Sequence, residues 1–158
     1  MAMRVDVQYA CEDAGVPDEP EILSWVEFAV SQAGPLPDGV SDVAVRIVGE
    51  AEIQTLNQLY RNKDAATNVL AFPAGAVQGL PPGEARSLGD IVICASVVRD
   101  EALRQAKPLA DHWAHIVVHG VLHLLGFDHA GDQDAAEMES LEVAILQARG
   151  VANPYASA

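Results

Sequence analysis

HIVVHGVLHLLGFDH, residues 115–129, contains four of the five histidines in the chain, and the fifth, His112, lies just upstream. Apolar residues recur between the histidines at helical spacing, so we predict a largely buried helix that opens near Pro108 and runs to about Leu125. Gly126 can end this helix in a left-handed conformation and turn the chain back. The stretch therefore predicts both a core helix and a cluster of imidazoles at one end of it.

The segments upstream of this helix alternate between strand and helix patterns. In SDVAVRIVG, residues 41–49, Val43, Val45 and Ile47 alternate with Asp42, Ala44 and Arg46, the period-two pattern of a half-buried strand. We predict four strands, in residues 3–10, 41–49, 67–74 and 88–95. Helical spacing and end signals predict five helices, in residues 19–34, 50–61, 96–106, 108–125 and 132–150.

These elements predict one domain of the α/β (α+β) class that spans residues 1–158. A chain of 158 residues is long enough to bury one core without metal or disulfide support, and half of its residues are apolar. Strands interleaved with helices and followed by a helical block predict a layered fold. We therefore expect a small mixed four-stranded sheet packed with about five helices, with the metal site on the central helix and the following turn.

The formal net charge of −14 argues against a protein that binds nucleic acid over its whole surface. The charge is uneven, however. Residues 1–60 contain two basic and eleven acidic residues, and residues 108–158 contain one basic and seven acidic residues. Residues 61–107, in contrast, contain six basic and five acidic residues. An anion-binding surface is therefore expected to involve basic residues of the middle segment: Arg61, Lys63, Arg86, Arg99, Arg104 and Lys107.

The sequence predicts a cytoplasmic protein with no membrane span. Its apolar runs are shorter than the roughly 18 to 20 residues that cross a bilayer. The first residues, MAMRVDVQYACEDAG, lack the basic start and apolar segment of a signal peptide. Cys11 and Cys94 have no CxxC spacing, which favours two reduced thiols over a disulfide.

The spacing of three histidines indicates a catalytic metal site. His119 and His123 are four residues apart and project from one face of a helix, and His129 can approach the same point from the turn after Gly126. Three imidazoles with an open fourth position are typical of catalytic zinc, whereas structural zinc usually has four protein ligands that include cysteine. We assign His119, His123 and His129 as the metal ligands.

The other two histidines share nearly the same helical face. His112 and His115 lie seven and four residues before His119, so either is a rival ligand. For both of them we favour a role in packing or in hydrogen bonding to the ligands. The turn after Gly126 brings His129 closer to the expected metal position than they are.

The residue after His119 separates this motif from that of zinc peptidases. In His-Glu-x-x-His peptidases that position is a glutamate, which acts as the general base. In this chain it is Gly120. A peptidase mechanism built on that glutamate is therefore unavailable, although a bound metal would still act as a Lewis acid and lower the pKa of water.

The stretch HWAHIVVHGVLHLLGFDH resembles the signature His-Gly-x-Leu-His-Leu-x-Gly-[Phe/Tyr]-Asp-His of the YbeY family of metal-dependent endoribonucleases. LNQLYRNKDAATNVLAFP and LGDIVIC are similar to two further segments of that family, and AAEMESLEVAIL fits its final helix. The resemblance covers about residues 40–155. Ala71 stands where the family commonly has serine, and a methyl group can occupy the same packing position.

The resemblance implies that His119, His123 and His129 hold one Zn²⁺ per chain, although another divalent transition metal is possible. It implies that Arg61 is needed for activity. We assign Arg61 and Lys63, two of the cations of the middle segment, to substrate binding. The expected activity is single-strand-specific cleavage of RNA in 16S rRNA 3′-end maturation and in ribosome quality control. The expected partners are single-stranded RNA or rRNA, the small ribosomal subunit and its assembly proteins. An Arg61 fork can bind a phosphate, but an ion pair with Asp64 is the simpler alternative.

Several alternatives stay open at this point. A zinc hydrolase of another class, such as a peptidase, also suits three histidines, and a non-catalytic ribosome-assembly factor would use the metal for stability and the acidic surface to meet basic proteins. The nucleophile is either water or the ribose 2′-hydroxyl, and the chemistry of the product ends distinguishes them. Asp128 either orients a ligand or caps the turn, and Asp90 either supports a ligand or only begins a strand.

Overall fold

The computed structural model describes residues 3–36, 39–74, 86–127 and 131–156. All the predicted strands and helices are present, with boundaries shifted by a few residues. In chain order they are β1 (Arg4–Tyr9), α1 (Glu19–Ala33), β2 (Val40–Val48), α2 (Glu50–Arg61), β3 (Val69–Pro73), β4 (Arg86–Cys94), α3 (Ala95–Arg104), α4 (Leu109–Leu124) and α5 (Asp132–Gln147). The predicted fold class, a mixed four-stranded sheet with five helices, is confirmed.

The sheet has the strand order β1-β2-β4-β3. The β1, β2 and β4 strands are parallel, as expected for strands joined through helices, whereas β3 pairs antiparallel with β4. Because β3 stands at the edge of the sheet, only one of its sides is used in the ladder. The other side is available to line a cleft.

The two faces of the sheet are covered unequally. Alternating residues of β2 such as Val43, Val45 and Ile47 pack with the apolar sides of α1, α4 and α5 in the main core. On the opposite face, Ile53 of α2 packs against Val48 in a smaller cluster with residues of β3 and β4. The histidine helix α4 thus lies in the larger layer, where it contacts α1, α3, α5 and the sheet.

Gly120 is a point of close approach between α4 and β4. A Cβ atom added to Gly120 would lie 2.8 Å from Cγ2 of Ile91, which is fully buried. Glycine is therefore required at this position by the close approach of helix and strand. The end of α4 also agrees with expectation, since Gly126 has a positive φ of 102°.

Both cysteines are free, as predicted, with Cys94 buried in the smaller cluster. Among the described helices, none combines the length and the apolar composition that a membrane crossing needs.

Candidate metal centre and adjoining cleft

Four histidines form a ladder of rings along α4. The ring centroids of His112 and His115 are 5.9 Å apart, those of His115 and His119 are 6.2 Å apart, and those of His119 and His123 are 4.6 Å apart. The i, i+3 and i, i+4 spacing of the sequence produces this arrangement, because such residues are neighbours on a helix surface. The ladder runs from the buried interior at His112 to the cleft at His123.

Glu142 of α5 is fully buried and binds the middle of the ladder. Its Oε1 lies 2.8 Å from Nδ1 of His119, and its Oε2 lies 2.8 Å from Nε2 of His115. Burial raises the pKa of Glu142, but the hydrogen bonds from His115, His119 and Tyr155 outweigh it and lower the pKa to about 2. The carboxylate is therefore ionised at neutral pH and accepts hydrogen bonds from both rings.

This contact defines the tautomer of His119. An ionised Glu142 only accepts, so Nδ1 of a neutral His119 carries the proton and Nε2 presents a lone pair. That Nε2 atom lies 3.1 Å from Nε2 of His123. Two imidazole nitrogens on a tetrahedral zinc, each about 2.0 to 2.1 Å from the metal, are about 3.3 Å apart. His119 and His123 therefore fit a shared metal ion with little movement.

A second group of donors could also hold a metal ion. His115, His119 and Glu142 each offer one ligand atom, and these atoms lie within 4.8 Å of one another. In the structure these atoms are joined by the hydrogen bonds just described, and Glu142 has no exposed surface. A carboxylate that holds the far nitrogen of a ligand histidine is a common arrangement around zinc. The two groups share His119 and differ in which of its nitrogens would bind the metal.

A cleft of about 480 Å³ opens beside the ladder. His119 and His123 line it, whereas His115 and Glu142 do not. Because the buried Glu142 occupies the Nδ1 side of His119, the Nε2 side is the one available to the cleft. The remaining wall comes from the end of α2, the β3 strand and the end of α4: Arg61, Thr67, Asn68, Val69, Leu70, Ala71, Pro73, Gly126 and Phe127.

The guanidinium of Arg61 faces the histidines across this cleft. Its Nη2 donates to the backbone oxygen of Ala71 over 3.4 Å, and the guanidinium carries further N–H donors besides this one. The alternative ion pair with Asp64 does not occur among the described residues, where Asp64 accepts from Gln54. Lys63 is exposed just beyond α2 and is not part of the cleft wall.

The outer edge of β3 forms one side of the cleft. Val69 pairs with Ile93 of β4, and Ala71 pairs with Ile91. The backbone N–H of Cys94 donates to the oxygen of Asn68, so the hydrogen-bonded pairs alternate from that position. Val69 and Ala71 therefore belong to the non-hydrogen-bonded pairs of the β3–β4 sheet. The backbone groups of Val69 and Ala71 therefore point away from β4 and into the cleft. Ala71 itself is buried, in agreement with the packing role expected for its methyl group.

The remaining predicted residues are placed differently. His129 and Asp128 lie outside the described residues. Asp90 lies on the opposite face of the sheet, in a shallow depression with Arg46 and Tyr60, so it does not support a ligand from this position. His112 is buried and its Nε2 lies 2.9 Å from Oε1 of Glu101, which agrees with the hydrogen-bonding role favoured for it.

Two residues of the site were missed in the sequence. Glu142 is an acid at a core position of an apolar run, SLEVAIL, and that burial pattern was the available signal. Tyr155 near the C-terminus gave no signal, yet its hydroxyl donates to Oε2 of Glu142 over 2.5 Å. Burial and the Glu142 carboxylate raise the pKa of Tyr155, so the hydroxyl keeps its proton.

The sequence profile described as Endoribonuclease YbeY matches residues 8–150. This chain belongs to the YbeY family. A relative from Alcanivorax borkumensis named Endoribonuclease YbeY is 52% identical over 155 residues, 98% of this chain and 87% of the relative. A second YbeY relative, from Colwellia psychrerythraea, is 43% identical over 98% of both chains.

A solved structure supports the fold assignment. The solution structure of a Thermotoga maritima protein is similar with a TM-score of 0.54 and 26% identity, covering 89% of this chain and 87% of that one. The family match includes Arg61 and the whole histidine ladder.

Proposed function

We propose that this protein is a zinc-dependent, single-strand-specific endoribonuclease in which His119, His123 and His129 hold one Zn²⁺ per chain. The observation that supports this most directly is the pair of Nε2 atoms of His119 and His123, 3.1 Å apart at the wall of a cleft that also contains Arg61. The names of the YbeY relatives supply the reaction class, cleavage within an RNA chain. When bound, zinc would supply Lewis acidity and lower the pKa of a water molecule toward about 7.

Arg61 would bind the phosphate at which the chain is cut. A guanidinium offers a planar fork of donors that matches two phosphate oxygens, and these bonds strengthen as negative charge develops during cleavage. The bond from Arg61 to the Ala71 oxygen orients the fork before substrate arrives. Lys63, two residues further along, would add a second cation for the flanking phosphate.

The groups that line the cleft suit unpaired RNA. Single strands are recognised by backbone and stacking contacts to bases that are free to splay out, whereas paired bases are not accessible in this way. The outward backbone groups of Val69 and Ala71 offer such hydrogen bonds, and the ring of Phe127 in the cleft wall offers a stacking surface.

In the cell we expect the protein to act in the cytoplasm in 16S rRNA 3′-end maturation and in ribosome quality control, with the small ribosomal subunit and its assembly proteins as partners. This part of the proposal is based on the family resemblance. The acidic segments on either side of residues 61–107 suit contact with basic ribosomal proteins.

The position of Gly120 argues against peptidase chemistry. Its Cα faces Ile91 of the sheet and not the cleft. A general base in the manner of the His-Glu-x-x-His peptidases would need a carboxylate on the substrate side of the metal.

The decisive experiment compares the wild type with His119→Ala and Arg61→Ala on a single-stranded RNA and on the same RNA annealed to its complement. We expect the wild type to cut only the single strand. His119→Ala should lose both zinc and activity. Arg61→Ala should keep its zinc, measured by elemental analysis of untagged protein, while cleavage falls by roughly 10²- to 10³-fold, as for the loss of one transition-state donor.

Arg99→Ala is the matched control for the loss of a positive charge, because Arg99, although a candidate cation in the sequence, does not line the cleft and pairs with Asp13 and Asp100. It should cleave like the wild type. Equal cleavage by all four correctly folded proteins would trace the activity to a contaminating nuclease and contradict the proposal.

A further inference from the structure

The C-terminal tail, residues 151–156, is docked against the histidine ladder. Val151 is buried in the main core, and Nζ of Lys107 donates to the backbone oxygen of Pro154 over 2.7 Å. The backbone N–H of Tyr155 donates to Oδ1 of Asn153 over 2.9 Å, which shapes a turn. These contacts present the ring of Tyr155 edge-on to that of His115, with centroids 5.3 Å apart and planes at 83°.

The tail completes the hydrogen bonding of the buried Glu142 carboxylate. Oε1 accepts from His119, whereas Oε2 accepts both from His115 and from the Tyr155 hydroxyl. A buried carboxylate needs several donors, because an ion removed from water is costly unless its lone pairs are satisfied. Without the tyrosine hydroxyl, Oε2 would keep one donor, and the orientation of the whole carboxylate would be less restricted.

We infer that Tyr155 is a positioning residue for the metal centre, acting through Glu142 on the ring of His119. The chain of contacts is short and continuous: the Tyr155 hydroxyl, Oε2 and Oε1 of Glu142, and Nδ1 of His119. Partners that hold a ligand histidine from behind fix its tautomer and ring angle and raise its basicity. The docked tail is therefore part of the metal site although it lies outside the cleft. This inference rests on the proposed metal site.

The test measures zinc affinity by competition with a chromophoric chelator, without RNA. Tyr155→Phe removes the hydroxyl alone, and we expect its Kd for Zn²⁺ to rise about tenfold, the lower end of the range for such partners. The absorption spectrum of the Co²⁺-loaded variant should also differ from that of the wild type, because the geometry at His119 changes.

Tyr9→Phe is a matched control. The Tyr9 hydroxyl donates to the backbone oxygen of Pro17 over 2.7 Å, so Tyr9→Phe removes a tyrosine hydroxyl and its hydrogen bond without touching Glu142. Its zinc Kd and Co²⁺ spectrum should equal those of the wild type. A purely structural role for Tyr155 would lower the thermal stability of both variants and change the zinc affinity of neither.

A second variant, Glu142→Gln, tests the middle of the chain of contacts. It should weaken zinc binding more than Tyr155→Phe does, and adding Tyr155→Phe to it should have little further effect, because the two side chains act in series. If Tyr155→Phe binds zinc as the wild type does, the role of Tyr155 is overturned while the metal site stands. If the wild type itself binds no zinc, the proposed function fails and this inference fails with it.

Discussion

At the scale of single residues, the absence of a side chain at Gly120 affects both the chemistry and the packing. It removes the glutamate that a peptidase would use, and it lets α4 approach β4 so closely that an added Cβ would press on Ile91. The sequence suggested the first consequence by comparison with the peptidase motif. Only the packing of helix on strand supplied the second, which explains why a larger residue is not accommodated there.

Gly120→Ala should therefore lower the free energy of unfolding despite the better helix propensity of alanine. Overpacking costs about 1 to 3 kcal/mol and the propensity gain is about 1 kcal/mol, so we expect a net loss of up to about 2 kcal/mol. Urea denaturation followed by circular dichroism measures it. In an Ile91→Ala background, where Cγ2 and the other atoms that an added Cβ would press on are absent, Gly120→Ala should cost less. Strict additivity of the two changes would contradict the close contact.

At the scale of elements, Glu101 joins three parts of the fold. It lies on α3, accepts from Nε2 of His112 on α4, and accepts from the side-chain amide of Asn68 at 3.1 and 3.3 Å. Asn68 precedes β3 and lines the cleft. The first position of the histidine ladder thus helps to hold the strand that contacts Arg61, although His112 itself does not line the cleft.

The Glu101 contacts predict a stability that depends on pH. Burial raises the pKa of Glu101, but the hydrogen bonds from His112 and Asn68 and the charges of His112 and Arg104 lower it overall from 4.5. A carboxyl with a depressed pKa contributes stability above its unfolded value of 4.5, and this contribution is lost as the pH falls through the lower folded value. Lys107 is a further charged group that interacts with the Glu101 carboxylate.

We expect Glu101→Gln to be less stable than the wild type by about 1 to 3 kcal/mol at pH 7, the cost of losing hydrogen bonds to a charged acceptor. The difference should narrow as the pH falls below 4.5, which urea titrations at several pH values would show. Glu52→Gln is the control, since the Arg46–Glu52 pair is more than a third exposed and should contribute little to stability. A constant difference between pH 7 and pH 3 would contradict the role of the Glu101 charge.

At the scale of the whole molecule, an acidic protein is proposed to bind a polyanion. The net charge of −14 opposes RNA at long range, so binding has to come from a few cations at the cleft. Arg61 lines the cleft and Lys63 follows it after α2. The proposed RNA site is therefore local, and its affinity should respond only weakly to salt.

For single-stranded nucleic acid, the logarithm of the binding constant falls by about 0.7 per neutralised phosphate for each unit of the logarithm of the salt concentration. Two cations therefore predict a slope near −1.4 for this plot. Fluorescence anisotropy with the inactive His119→Ala protein measures this slope. Lys63→Ala should reduce its magnitude by about 0.7, whereas Arg99→Ala should leave it unchanged. A slope of several units in the wild type would indicate a much wider phosphate-binding surface than the cleft.

The sequence alone determined the elements of the fold and the pairing of His119 with His123. Both follow from local periodicity, because a helix places residues four apart on one face and a strand alternates its two sides. Gly126, with its positive φ, ended the helix where expected for the same local reason. The free cysteines and the mixed sheet with five helices were also predictable from the pattern of residues.

Only the tertiary structure decided which distant groups meet the histidines. Glu142 reaches His119 across 23 residues and Tyr155 reaches Glu142 across 13, through the packing of α5 and the tail on α4. Arg61 faces the ladder because β3 is the edge strand. No periodicity links these positions, since their meeting depends on how whole elements pack. The sequence thus indicated the histidine face that is proposed to bind metal, and the packing supplied the groups that orient its rings and the cleft beside it.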